Sequence, residues 1–266
     1  MFLSGVVDYN EEENRCYFDD NKNNYAVIKM SSWHRDDPER EARIYQLLHD
    51  ESPHPLIVQI LGGCSHCPSS GEKCIILECM DMDLLQYAGR RKSWFTTEES
   101  QFIFKQIVLG VSHMHRKYIV HHDLGLENIC IKKSNSTKYI VKLMDFGHSL
   151  FCRDGVDKYV QKQRQIIKIK PCYDAPELGD PNVEFYCPDK SDVWSLGVIL
   201  VILLVGDYPW RDAPKSQEII MGLLQRIQEN YKVEKDVLDL LQGMLHVDPK
   251  QRMNTQRIAE HHWLGS

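Results

Sequence analysis

Four short motifs stand in one order along this chain: Ala-Val-Ile-Lys ending at Lys29, His-His-Asp-Leu-Gly-Leu-Glu-Asn over residues 121–128, Asp-Phe-Gly at 145–147 and Ala-Pro-Glu at 175–177. Each alone arises often by chance, and a lone Asp-Phe-Gly is ordinarily a strand followed by a turn. Together they set a lysine on a β-like run, an aspartate and an asparagine in one loop, and a second aspartate at a later turn. That ordered set restricts the fold far more than composition does.

The pattern around the motifs changes along the chain. The first third holds short β-like runs at 2–7, 16–18, 25–30, 57–61 and 73–78, each bounded by turn signals. One helical stretch interrupts them at 36–51, with Ile44, Leu47 and Leu48 on one face and acids at its start. From Thr96 a hydroxyl and acid cap opens a long apolar-striped helix, and further helices are predicted over 191–205, 216–230 and 235–245. Residues 152–174 are polar and weakly periodic, hence a long loop, and a loop of that length in a compact domain is usually functional or disordered.

Composition excludes several classes. With 42% hydrophobic and 26% charged residues the chain is globular in type rather than disordered or fibrous. Its longest apolar stretch, 198–205, falls far short of the roughly 20 residues of a spanning helix. The N-terminus has no basic region before its apolar residues, so it does not read as a signal peptide, and an intracellular, cytoplasmic setting is expected. Nine irregularly spaced cysteines fit free thiols better than a disulfide framework. A net charge of −6 gives no general attraction to nucleic acid.

The ordered motifs, together with SDVWSLGVILVILLVGDYPW and LDLLQGMLHVDPKQRMNTQRIAEHHWL, resemble the protein kinase family over nearly the whole chain. Glu127 before Asn128, and Tyr173 before Ala-Pro-Glu, resemble its serine/threonine branch more than its tyrosine branch, which stays a minor alternative, and the later helices are similar to the calmodulin-dependent group. The resemblance implies an α+β, bilobal fold: a β-rich N-lobe with one helix over 1–80, hinge included, and a mainly helical C-lobe over 81–266. It implies transfer of the γ-phosphate of ATP to serine or threonine of a protein substrate, with Mg²⁺ as the metal.

By the same resemblance, Lys29 meets the α- and β-phosphates and Glu41 holds that lysine, with Glu39 as the fallback partner. Asp123 takes the proton of the incoming hydroxyl, while Asn128 and Asp145 hold the metal through hard oxygens. Leu77 is the gatekeeper, Glu78 to Met80 form the hinge, and Val27 and Cys130 close over the adenine. His121 and Phe146 join a packed spine, Asp192 anchors the catalytic loop, and Glu177 pairs with Arg252. Singly, each has a plainer reading: a solvated edge lysine, a surface helix acid, a loop cap, simple core packing.

Four departures accompany the resemblance. No glycine-rich loop precedes Lys29; VVDYNEEENRC stands in its place, and Asp8, Glu11, Glu12 and Glu13 would repel phosphates beneath them. His122 replaces an arginine that would pair with a phosphorylated loop. Gly125 replaces the lysine that neutralises the transferring phosphoryl group, which should slow transfer. Lys170 occupies a position where threonine is usual. These departures keep a second reading open, a pseudokinase scaffold that binds partners and transfers little or no phosphate.

Two local features complete the reading. Lys158, Lys162, Arg164, Lys168 and Lys170 make a basic loop, read as a solvated segment, an acidic-substrate platform, or a partner for the acidic hairpin. Cys64, His66, Cys67 and Cys74 have zinc-like spacing but only one close cysteine pair, and small-residue hairpin packing is the expectation. A regulatory protein partner is expected, and no membrane.

Overall fold

The structure, a computed structural model, describes residues 7–10, 15–18, 24–30, 38–50, 52–66, 73–133, 139–152, 159–162 and 170–265, with backbone alone in 7–30, 63–66 and 133. Strands β1 (Val7–Asn10), β2 (Arg15–Phe18), β3 (Asn24–Met30), β4 (Ile60–His66) and β5 (Lys73–Glu78) form one antiparallel sheet in the order β1-β2-β3-β5-β4. The β-branched and aromatic residues of β3 and β5 suit its pleated surface. Register places Lys29 opposite Ile75 and Val27 opposite Leu77.

Helix α1 (Pro38–Leu48) lies between β3 and β4. Proline opens it, acids fill its first turn, and Glu41, Ala42, Ile44, Tyr45 and Leu48 form its buried face. A carboxylate inside an apolar stripe is uncommon and needs a partner there.

Two predicted runs differ from the observed strands. The first described strand is Val7–Asn10, and residues 2–6 lie outside the described set. The run at 57–61 is not one strand, because its first half pairs elsewhere: Leu143 N donates to Leu56 O and Val58 N to Leu143 O, both at 2.9 Å. This apolar segment finds a strand of the second lobe as its partner, and β4 begins only at Ile60.

That second lobe is largely helical. After β6 (Met82–Asp83) and α2 (Leu84–Arg90), α3 (Thr97–Arg116) runs 20 residues through its centre. Strand β7 (Ile119–Val120) leads to the catalytic-type loop, which a 3₁₀ turn, Leu126–Asn128, closes. The loop feeds a hairpin of β8 (Ile129–Lys133) and β9 (Tyr139–Leu143), and β6 pairs with β8.

Beyond it come β10 (Leu150–Phe151), β11 (Val160–Gln161), α4 (Pro176–Gly179) and β12 (Phe185–Tyr186). Helix α5 (Pro188–Val205) is buried on all sides, as its all-round apolar sequence requires, and ends at Gly206 in the left-handed region. Helices α6 (Gln217–Tyr231), α7 (Lys235–Met244) and α8 (Thr255–Ala259) complete the lobe. The predicted long loop is real in part, but Val160–Gln161 pairs with Phe185–Tyr186.

Candidate active site

Residues 121–128 are fixed from below by one buried carboxylate. Asp192, on the second turn of α5, accepts hydrogen bonds from the amides of His121 and His122, each at 2.8 Å, and from His115 Nε2 at 2.9 Å. Burial alone would raise this carboxyl, yet the His115 hydrogen bond and the neighbouring donors hold it below its ordinary value. His122 has a φ of 65°, a left-handed conformation unusual for a non-glycine residue, and the two amide bonds to Asp192 keep it there.

Above this anchor, Asn128 Nδ2 donates to the carbonyl of Asp123 at 2.7 Å and to its Oδ2 at 2.8 Å. Both side-chain N–H groups of Asn128 are thereby engaged, which leaves its oxygen to accept or to ligate. An amide oxygen beside carboxylates is a donor set of the kind Mg²⁺ takes, since that ion binds hard oxygens and keeps several waters.

The third member enters from the turn after β9. Asp145 has a φ of 64°, its amide donates to Tyr45 Oη at 3.3 Å, and the next amide, Phe146 N, donates to Glu41 Oε1 at 3.1 Å. The Phe146 ring packs edge-on between Tyr45 at 4.6 Å and His121 at 5.4 Å. Arg40 Nη1 donates to Gly147 O at 3.0 Å. Helix α1 and the Asp-Phe-Gly turn are thus joined by hydrogen bonds and a ring stack that continues down to the loop of Asp123. Burial raises the Tyr45 hydroxyl and lowers His121, so both stay neutral inside this column.

On the hinge side, Leu77, Met80 and Cys130 are buried within the common core. The Glu78 carboxylate is turned away, bonded to Lys142 Nζ and accepting from Gln59 N at 2.8 Å. Burial pushes the Cys130 thiol up to about 12, so it remains an inert apolar wall. For Lys29 and Val27 the backbone alone is described, on β3 opposite Ile75 and Leu77. Glu39 pairs with Lys73 at 2.5 Å on the surface.

The departures also have places. His122 Nε2 and Tyr186 Oη form a hydrogen bond at 2.9 Å, and burial lowers the His122 ring below its ordinary pKa. Lys170 Nζ stands 3.2 Å from Asp123 Oδ1 and 3.4 Å from Glu127 Oε1. Lys162 Nζ donates to the carbonyls of Glu177 and Asp180, while Lys158, Arg164 and Lys168 lie outside the described residues. So do the side chains of the acidic hairpin and of Cys64, His66 and Cys67; Cys74 is buried.

Sequence reasoning missed two side chains of this site. Tyr45 lies four residues after Glu41 on one helix face, a spacing that could have marked it. Nothing in the sequence signals that Lys170 reaches Asp123.

A family model for the protein kinase domain matches residues 14–264. The chain is 31% identical over 259 residues to the putative ribosomal protein S6 kinase alpha-2 of Caenorhabditis elegans, covering 91% of this chain and 32% of that protein. It is 33% identical over 193 residues to the human SNF-related serine/threonine-protein kinase, covering 71% and 24%. To the Arabidopsis thaliana serine/threonine-protein kinase SRK2C it is 32% identical over 182 residues, covering 66% and 49%. It therefore spans from about a quarter to about half of these relatives' length. A solved structure of the Rad53 kinase domain and SCD2 superposes with a TM-score of 0.67 over 95% of this chain and 83% of that one, at 19% identity, which speaks to the fold. Matched along nearly its whole length by the family model, and with serine/threonine kinases among its relatives, this chain belongs to the protein kinase family.

Proposed function

We propose that this chain transfers the γ-phosphate of ATP to serine or threonine hydroxyls of proteins, with residues 1–80 as the N-lobe and 81–266 as the C-lobe. The observation that carries the reading is the double hydrogen bond from Asn128 to Asp123, held on the Asp192 anchor and stacked through His121 and Phe146 to Glu41 and Tyr45. Phosphoryl transfer asks little covalent chemistry of a protein; it asks for fixed placement of an acceptor, a base and cations.

In this reading Asp123 orients the substrate hydroxyl and takes its proton, and Lys29, held by Glu41, binds the α- and β-phosphates. Asn128 and Asp145 offer oxygens to Mg²⁺, which when bound neutralises phosphate charge. Leu77, Met80, Val27 and Cys130 wall the adenine, and the hinge backbone around Glu78 meets its edge. A regulatory protein partner fits as well, because His122 is engaged with Tyr186 and offers no guanidinium to a loop phosphate. Cys79, Cys130, Cys152 and Cys172 are free thiols, which supports a reducing, intracellular setting. No helix among the described residues is long and apolar enough to cross a membrane.

The test is transfer of labelled phosphate from ATP to the chain itself and to generic protein substrates. Asp123→Asn keeps an acceptor for Asn128 but removes the base, and should lower kcat by about 10²- to 10⁴-fold with nucleotide binding retained. Wild-type protein that binds nucleotide and transfers nothing would support the scaffold reading instead; equal rates in both proteins would remove Asp123 from the role.

A further inference from the structure

Gly125 leaves the catalytic loop without a lysine, yet a lysine stands beside the same carboxylate. Lys170 Nζ is 3.2 Å from Asp123 Oδ1 and 3.4 Å from Glu127 Oε1, and its side chain is only 15% exposed. We propose that Lys170, from the segment ahead of α4, is the cation that holds the transferring phosphoryl group, in place of a residue-125 side chain. The inference rests on the phosphotransfer reading above and adds to it a residue from another segment of the chain.

Three observations carry it. First, the ammonium lies beside the oxygens that would receive the hydroxyl proton, so a turn of its flexible side chain out of that enclosure brings it to a γ-phosphoryl group in line with the hydroxyl. A tethered cation there meets charge where the transition state develops it.

Second, Lys170 Nζ is shut off from solvent and makes no hydrogen bond, and the same holds for Glu127 Oε2. An ammonium has three donors, and burying it with none of them used is costly. The two carboxylates supply opposite charge but not aligned acceptors; phosphoryl oxygens are acceptors of the missing kind.

Third, the two locations for the cation draw on one space. A Cβ placed at residue 125 would stand 2.7 Å from Glu127 Oε2 and 3.2 Å from the Tyr173 ring. The Glu127 carboxylate that Lys170 faces therefore fills the space a catalytic-loop side chain would enter. Glycine at 125 and lysine at 170 make one consistent arrangement.

In the step itself, the substrate oxygen bonds to phosphorus as the bond from phosphorus to the β-bridging oxygen breaks, and ADP leaves with that electron pair. The hydroxyl proton goes to Asp123, and the negative charge on the equatorial phosphoryl oxygens is met by Lys170. A lysine that merely locked Asp123 in place would show the same distances but would not distinguish a triphosphate from a diphosphate.

That difference is the test. Affinities for ADP and for the non-hydrolysable triphosphate AMPPNP are measured by calorimetry on wild type, Lys170→Met, Lys170→Arg and the double variant Lys170→Met/Gly125→Lys, together with kcat. Lys170→Met should leave ADP binding within about twofold while weakening AMPPNP roughly tenfold, the loss of one charge-assisted hydrogen bond, and kcat should fall about 10²-fold. Lys170→Arg should keep most of the AMPPNP preference. The double variant should regain part of it, since Glu127, released from Lys170, can swing clear of a new side chain at 125.

Equal weakening of both nucleotides, or of neither, in Lys170→Met protein with wild-type melting behaviour overturns the inference alone. Wild type that binds neither nucleotide overturns the phosphotransfer reading, and this inference with it.

Discussion

Arg252 reaches Glu177 through two parallel hydrogen bonds, Nη1 to Oε1 and Nη2 to Oε2, each 2.7 Å long. Both residues are buried, Arg252 Nε and Nη1 also donate to the carbonyls of His246 and Lys190, and the guanidinium lies 5.0 Å from the Trp194 ring. Planar fork geometry suits such a site where a lysine would not. Arg252→Met would strand the Glu177 carboxylate without a cation and should destabilise the fold by about 3–5 kcal/mol, read from the denaturation midpoint. Glu177→Met/Arg252→Met, which removes both charges, should recover much of that loss; a double variant no better than the single would show that packing matters here, and charge does not. Residues of this kind were legible because the chemistry sits inside contiguous motifs. Tyr45 and Lys170 were not, because their partners come from distant segments; only the helical spacing from Glu41 hints at Tyr45, and Lys170 carries no local signal.

Helix α3 shows how far local rules determine an element. Thr96 Oγ1 accepts from Glu99 N at 3.2 Å, and Glu99 Oε2 accepts from Thr96 N at 2.8 Å, a reciprocal cap that the sequence announces three residues apart. Glu99 does more than cap, since Arg91 Nη2 binds both its oxygens and the Arg91 guanidinium lies 4.6 Å from the Phe95 ring. Thr96→Ala should therefore cost about 1 kcal/mol and Glu99→Ala distinctly more, with denaturant titration as the measurement. If the two variants were equally stable, the tie to Arg91 would contribute nothing beyond the cap.

The long helices were legible for this reason, each having a cap, a stripe and sufficient length. Helix α2 is only seven residues, too short for periodicity to show. The β8–β9 hairpin was hidden because its runs, Ile129–Lys133 and Tyr139–Leu143, mix apolar residues with lysines, and its pairing partners include β6, remote in sequence. The run at 57–61 looked like one strand because sequence periodicity does not reveal that its first residues pair with Leu143.

At the scale of the molecule, three histidines join α1 to α3, and all are held neutral. His49 Nε2 donates to Val58 O at 3.1 Å and its Nδ1 accepts from His54 N at 3.0 Å; His113 Nε2 donates to Leu48 O at 2.9 Å. The His54 and His113 rings stack with centroids 3.9 Å apart. Burial is the main reason each ring resists a proton, and neighbouring positive charge adds to it: Arg116 around His54, Lys117 and Arg116 around His113, Lys142 around His49. The hydrogen bonds to the Val58 and Leu48 carbonyls, and more weakly Glu78 and Asp50, oppose the effect without reversing it. The His54 ring is lowered to about 4.

In the unfolded chain these rings charge near pH 6.5. The folded state therefore binds fewer protons below that pH, so stability is fully present above about 6.5 and falls as pH drops toward about 4, where His54 itself charges. Asp192, whose carboxyl is depressed, adds a loss only at still lower pH, while His121 and His122, also lowered by burial, share this window, so the stack is isolated by comparison with a His54 variant. Because the stack sits at the end of the helix that carries Glu41 and Tyr45, its protonation should loosen the seat of the Asp-Phe-Gly turn before the lobe around α5 unfolds. The measurement is the melting temperature at several pH values from 7.5 to 4.5, for wild type and for His54→Asn. The variant keeps an acceptor for the Leu56 amide but cannot charge, so its profile should be flatter across the window; parallel profiles would place the acid sensitivity elsewhere in the fold.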